Sequence, residues 1–364
     1  MNSRNSATLA PPVSDMLPTS AATTQEAVGN DFAELKQQLR QSGLLDKQPV
    51  YSTYRIALLA GLLLIGVLFL LLVHVFWLQL LNAVYLSFVF TQIGLLGHEA
   101  GHRQMFRSSW KHDLVSLVGG NFLIGMSYAW WLDKHNHHHS HPNQVDMDPD
   151  IKIPFLEFTG TENLARIGKF RQFLVKHQAL LFFPALMTVA LGLQVDSVKF
   201  LINKRKKTKY YKLEWLTLFA HVALYLAFVF YCLPFWQAVL FVCIHQTLTG
   251  LYLGSIFAPN HKGMPVLEKE SHMDFLHRQV VTSRNVYSNP VADFWYGGLN
   301  YQIEHHLFPS MARNKLKEAQ GIVKPFCEAH GIPYHETSFA QSYKEILDHL
   351  YHIGAPLRKL PQPV

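Results

Sequence analysis

Four apolar runs decide what this chain can fold into: Ile56 to Val73, Leu78 to Gly97, Leu213 to Tyr231 and Trp236 to Ala258. Each is close to the roughly 20 residues that carry an α-helix across a hydrocarbon core. A bilayer offers no water to backbone N–H and C=O groups, so such runs must satisfy them internally as helices. Hydrophobic residues make up 49% of the chain and charged ones only 16%. The alternative, buried helices of a large soluble protein, fits poorly with Ile56 to Val73, which contains no charge at all. The expected fold is an all-α integral membrane protein of four transmembrane helices. The net charge of +7 is modest and gathers beside the apolar runs, which suits a membrane surface and implies no nucleic acid partner.

Residues 1–30, rich in Ser, Thr, Ala and Pro, read as a disordered N-terminal tail. Residues 31–55 follow as an amphipathic cytoplasmic segment, with Phe32, Leu35 and Leu39 at helical spacing and Gly43 as a stop. That helix can lie on the membrane surface or dock on its own protein. Residues 56–309 form the membrane and site-bearing domain, and 310–364 a cytoplasmic helical C-terminal segment. In the latter, Ser338 and Gln341 form a capping box for a helix from Phe339 to Tyr351. Residues 1–50 show no cleavable signal pattern, so the first run is expected to be an anchor. Cys232, Cys243 and Cys327 form no motif.

Lys36, Arg40, Lys47 and Arg55 precede the first run, and no Lys or Arg separates the first two. The positive-inside rule then places the N-terminus in the cytoplasm. The basic run NKRKKTKYYK, residues 203–212, is a second cytoplasmic marker. Two shorter apolar stretches complicate the count. Leu114 to Leu132 is broken by Gly119, Gly120, Asn121 and Gly125, and Ala179 to Leu193 contains Pro184. Both are expected to be interfacial or half-inserted, which leaves all the histidine-rich segments on one face.

Those segments are GHEAGH at 97–102, HNHHHSHPN at 135–143, NHKG at 260–263 and YQIEHH at 301–306. His98 and His102 stand four apart, so a helix projects both from one face. His135, His138 and His139 have i, i+3, i+4 spacing, a three-pronged claw. Gln302, His305 and His306 repeat the claw with an amide in the first place. Neutral imidazole suits zinc, iron, copper or nickel, so residue type alone does not choose the metal. Seven histidines in three claws, plus His261, exceed the needs of one ion and suit two.

In these motifs the chain resembles the membrane fatty acid desaturase family, whose mark is three histidine boxes of the form HxxxH, HxxHH and H/QxxHH. The pieces GHEAGHRQMF, KHNHHHSHPN, FAPNHKGMP and YQIEHHLFPSM are similar to those of bacterial acyl desaturases and of the Q-type branch that includes front-end enzymes. The resemblance implies metal ligands at His98, His102, His135, His138, His139, His305 and His306. His261 is implied as an additional ligand, although the asparagine that some relatives place one turn earlier is Phe257 here. Gln302 is expected to tune one ion more than anchor it, because an amide oxygen is a weaker, harder donor than imidazole. Glu99 is expected to orient a ligand histidine. The family also implies two irons carried by a helical cap on the cytoplasmic face, O2 as co-substrate, and a cis double bond in an acyl chain as product.

Arg103, Lys262 and Arg284 are candidates to hold a phosphate-bearing headgroup or acyl carrier. The acyl substrate could arrive as acyl-CoA, on an acyl carrier or in a lipid. No haem-binding HPGG segment occurs in these residues, so electrons are expected from a separate ferredoxin or cytochrome b5 type donor. Two rival readings share features of the pattern. A hydroxylase of the same superfamily uses the same boxes, and an intramembrane zinc metalloprotease would use GHEAGH as H-E-x-x-H with Glu99 as base.

Overall fold

The computed structural model describes residues 25–153, 155–203 and 208–359. Residues 1–24 of the N-terminal tail and residues 204–207 of the basic run lie outside the described residues. Among the described residues, four helices have the length and apolar content of membrane crossings: Pro49–Leu72, Phe76–Gly101, Tyr211–Cys232 and Phe235–His261. Three of them contain a whole apolar run, and the first ends at Leu72, one residue short of its run. The first pair turns at residues 73–75, and the second pair at Leu233-Pro234, where proline opens the last helix without needing its N–H.

The bundle is inside-out compared with a soluble protein. Its interior joins spans through Leu59, Val89, Ile93 and Leu96 on one side and Leu70, Leu86, Val229 and Phe241 on the other. Its outer face leaves large apolar side chains such as Leu64, Leu81, Phe219 and Trp236 exposed. A surface this apolar is suited to lipid, not water. Two polar residues inside the bundle are satisfied by neighbouring segments: Asn82 donates to Gly66 O at 3.0 Å, and Gln92 donates to Tyr252 Oη at 2.8 Å.

Neither of the two shorter apolar stretches forms a straight span. The first becomes a short helix, Ser109–Val115, continued by π-helical turns over Ser116–Ile124 and stopped at Gly125. Gly125 has φ +78°, and a Cβ there would lie 2.6 Å from the His221 ring, so glycine is required twice over. The helix that follows, Tyr128–Ser140, carries the second histidine box. Its start is fixed by Ser127, whose Oγ accepts from Trp130 N and donates to buried Glu214 of the third span at 2.5 Å. The other stretch is a pair of helices, Gln178–Leu186 and Val189–Asn203, bent by 73°. His221 and His245, inside the spans, tie segments together: His221 reaches Phe122 O at 3.0 Å and His245 reaches Tyr225 Oη at 2.9 Å.

The cap folds over one end of the bundle. Its N-terminal helix is Gln25–Gln41, so residues 25–30 of the expected tail are helical. Of the two roles open to this helix, the structure shows docking. Leu35 and Leu39 are fully buried against Ile303, Leu307, Leu316 and Val323 beneath the third box. Gly43, at φ +68°, ends the helix as expected. The C-terminal helix runs Phe339–Ile353 with the Ser338 cap in place, and it buries Tyr343, Ile346 and Leu350. Two small strand pairs pin the connections: Lys152–Ile153 with Leu156–Glu157, and Asn285–Val286 with Glu336–Thr337.

Arg284 is the cap's main fastener. It is fully buried and donates to Pro259 O (2.7 Å), Lys262 O (2.9 Å) and Glu345 (2.5 Å). It thereby joins the end of the fourth span to the C-terminal helix. With its donors taken inside the protein, it is not free to hold a substrate headgroup, which corrects the expectation from sequence. Arg284→Met should leave two carbonyls without their donor and Glu345 with only its His335 and Gln341 partners, and destabilise the fold by about 3–5 kcal/mol. An unchanged thermal unfolding midpoint of the purified variant in detergent would contradict this role.

Candidate metal centre

Each histidine box sits where a helix meets the cap. His98 lies in the last turn of the second span and His102 caps it. His135, His138 and His139 ride the Tyr128–Ser140 helix. His261 ends the fourth span, and Gln302–Leu307 is a short helix holding the third box. These four elements converge, and their imidazoles sort into two clusters. One holds His98, His102, His135, His139 and His305, and the other His138, His261 and His306. In each cluster the potential ligand atoms lie within 4.8 Å of one another. The clusters share a wall, since the His139 and His306 rings stack with centroids 4.1 Å apart.

The second cluster shows most clearly what this arrangement demands. His138 Nδ1 donates to both oxygens of Asp148 at 3.0 Å. His261 Nδ1 donates to Thr282 O at 3.0 Å, and His306 Nδ1 to Gln279 Oε1 at 2.8 Å. A neutral imidazole has one N–H, so with Nδ1 committed outward the Nε2 of His261 and of His306 carries a lone pair, whereas the Asp148 carboxylate holds the His138 pKa above the ordinary histidine value despite burial. Yet His138 Nε2 and His261 Nε2 lie 3.2 Å apart, and His261 Nε2 and His306 Nε2 lie 2.9 Å apart. Lone pairs at this spacing repel each other unless a cation sits among them. Two ligands at right angles on a metal ion, each about 2.1 Å from it, stand about 3 Å apart, which matches the observed spacing.

In the first cluster His135 Nε2 lies 2.8 Å from His102 Nε2 and 3.1 Å from His139 Nε2. Burial holds His102, His135, His139, His305 and His306 well below the ordinary histidine range, so they present lone pairs instead of charges. Both ring nitrogens of His305 are buried without a hydrogen-bond partner among the described residues. Trp131 stacks on His135 at 4.4 Å and walls this cluster. The donor set therefore fits a metal centre of two adjacent sites, one richer in imidazole than the other.

Gln302 belongs with the poorer site. Its amide is buried, and Nε2 lies 2.9 Å from His261 Nε2. With three imidazoles here instead of five, it counts for more than its donor strength alone suggests.

Glu99 does not orient a histidine, contrary to the sequence-based expectation. Arg55 clamps its Oε1, and Arg313 approaches the same oxygen at 3.5 Å. All three side chains are nearly enclosed. Arg55 is thus part of the bundle's interior and not a loop cation. The role given to Glu99 falls instead to Asp148. It and Asp150 come from the segment DMDPD just after the second box, where the acidic spacing was the overlooked signal. Lys262 donates to Asp150 O at 2.7 Å, and Lys134 pairs with the Asp150 carboxylate. Lys262 thereby braces the backbone of the segment behind His138, and its headgroup role is not supported. Arg103 pairs with Asp113 at 2.6 Å and donates to Ser109 O at 2.7 Å. It too is engaged within the protein. His137, exposed, bonds among the described residues to Asp133 O alone.

The sequence profile of the family described as fatty acid desaturase matches residues 75–338, which includes every histidine named above. A delta-6 fatty-acid desaturase of Caenorhabditis elegans is 31% identical over 339 residues, 89% of this chain and 74% of the relative. A delta-8 fatty-acid desaturase of Euglena gracilis is 30% identical, over 87% of this chain and 77% of the relative. An acyl-lipid (9-3)-desaturase of Physcomitrium patens is 31% identical over 76% of this chain, which spans about half of that relative's length, 53%. The chain therefore belongs to the fatty acid desaturase family of oxidoreductases, and its histidine clusters could hold metal ions.

Proposed function

We propose that this chain is a multi-pass membrane enzyme that introduces a cis double bond into a fatty acyl chain, using two iron ions, O2 and electrons from an external donor. The observation that carries the reading is the pairing of two buried imidazole clusters with lone pairs turned inward. When bound, iron supplies the oxidising power that a saturated CH2 requires, since such a carbon offers no acid, base or electrophile to a side chain. The protein's part is ligation, positioning and exclusion of water. His98, His102, His135, His139 and His305 would hold one ion, and His138, His261, His306 and Gln302 the other. Asp148, Thr282 O and Gln279 fix the ring orientation of the second set, which keeps each Nε2 aimed inward.

Relatives named delta-5, delta-6 and delta-8 desaturases count their double bond from the carboxyl end of the acyl chain. A carboxyl-proximal position is proposed here for the same reason. The site is proposed to face the cytoplasm, on the strength of the basic residues flanking the spans. The protease alternative loses its base, because Glu99 is committed to Arg55 and Arg313. The hydroxylase alternative finds no support in the relatives' names. A ferredoxin or cytochrome b5 remains the proposed electron donor.

Fatty acids from a host expressing the chain, derivatised and resolved by gas chromatography and mass spectrometry, should contain a new cis double bond near the carboxyl end. Hydroxylated chains without new unsaturation would overturn the reaction assigned. In a cysteine-free background, Ser140→Cys should be labelled by an impermeant reagent only from the cytoplasmic side; labelling only from outside would overturn the orientation. His138→Ala should insert normally but lose second-site metal, weakened beyond the roughly 10- to 100-fold that loss of an outer partner costs, together with product. His137→Ala should keep both. Equal behaviour of these two variants would argue against the ligand set.

A further inference from the structure

Asn260 is fully buried at the end of the fourth span, beside His261. Its Nδ2 donates to Gln302 Oε1 at 2.9 Å, while Gln302 Nε2 faces His261 Nε2 at 2.9 Å. The remaining atom of the Asn260 amide, Oδ1, has no partner among the described residues. Nothing else therefore fixes which way this amide pair points. Oxygen and nitrogen occupy equivalent places in a side-chain amide, and the chemistry at each end selects the orientation.

At the inner end that chemistry changes with metal. Facing only imidazole lone pairs, Gln302 is best served by turning its N–H inward. Facing a cation, it must turn its oxygen inward, because an N–H beside a metal ion is repelled and offers no lone pair. The reversal keeps every heavy atom in place only if the outer partner can accept the N–H that now points outward. Asn260 can do so by reversing its own amide, since Oδ1 then takes the position that Nδ2 holds at 2.9 Å.

We infer that Asn260 is a positioning residue for the second metal site: by accepting the Gln302 Nε2–H, it presents the Gln302 oxygen to the ion held by His138, His261 and His306. This rests on the two-ion reading above and adds a residue that touches no metal. The direction of the hydrogen bond is the testable point. Aspartate at 260 can accept but not donate, leucine can do neither, and both are close in size to asparagine.

The test is anaerobic titration of the full-length chain in lipid nanodiscs with Fe2+, counting bound iron per chain and fitting the weaker site. Asn260→Ala and Asn260→Leu should weaken that site by roughly 10- to 100-fold, the usual cost of losing an outer partner. Asn260→Asp should remain within a few-fold of the parent. In a Gln302→Ala background the advantage of Asp over Ala should vanish, because the effect passes through Gln302. An Asn260→Asp site as weak as Asn260→Ala would overturn the inference, and so would an Asp advantage that survives without Gln302, since it would report charge alone. Because Asp is isosteric with Asn, its comparison with the parent decides the matter even where Ala lowers expression. A parent chain that binds no second iron would overturn the two-ion reading along with this inference, whereas two irons in the parent with indifferent Asn260 variants overturn this inference alone.

Discussion

Imidazole lone pairs held face to face in a buried space are the constraint on which the structure turns. Left alone, nitrogens 2.8–3.2 Å apart with no proton between them would push the four converging segments apart. The folded chain holds them from behind. The backbone of each box is anchored in a span or pinned by the cap, and in the second cluster every ring is gripped at its outer nitrogen. The Asp148 carboxylate, the Thr282 carbonyl and the Gln279 amide each fix one ring. Gln279 also donates to His139 O at 2.8 Å, so one side chain steadies residues of both clusters.

This explains why charge is placed as it is. The ionic side chains near the centre are committed to the scaffold. Arg55 and Arg313 share Glu99, Lys134 and Lys262 meet at Asp150, and Arg284 ties Glu345 to the end of the fourth span. Buried pairs of this kind contribute little net stability, but breaking one strands the other partner. They hold segments in register around the histidines. The cations that sequence offered as headgroup binders are thus bonded within the protein.

Much of the fold was legible because both signals are short-range. Apolar runs of crossing length announce the spans, and i, i+3, i+4 spacing announces which histidines share a helix face. Gly43, Pro234 and the Ser338 cap mark ends that the structure keeps. What was not legible depends on distant residues meeting. The division of imidazoles into five and three cannot be read from box order, because His138 leaves its neighbours His135 and His139 for the other cluster. Neither the partners of Glu99 nor the burial of Leu35 and Leu39 beneath the third box follow from local pattern. Asp148 could have been found, since an acidic triplet directly after a histidine box is a local feature.

The central claim is that two ions share this centre, one held by more imidazole than the other. Iron-edge X-ray absorption on the purified chain, with total iron measured on the same sample, tests it most directly. The account predicts two irons per chain, a shell of nitrogen and oxygen neighbours that includes the outer-ring scattering of imidazole, and an average coordination lower in nitrogen when His138 and His306 are the ligands replaced and lower in oxygen when Gln302 is. A single metal per chain that fills only the first cluster would contradict it.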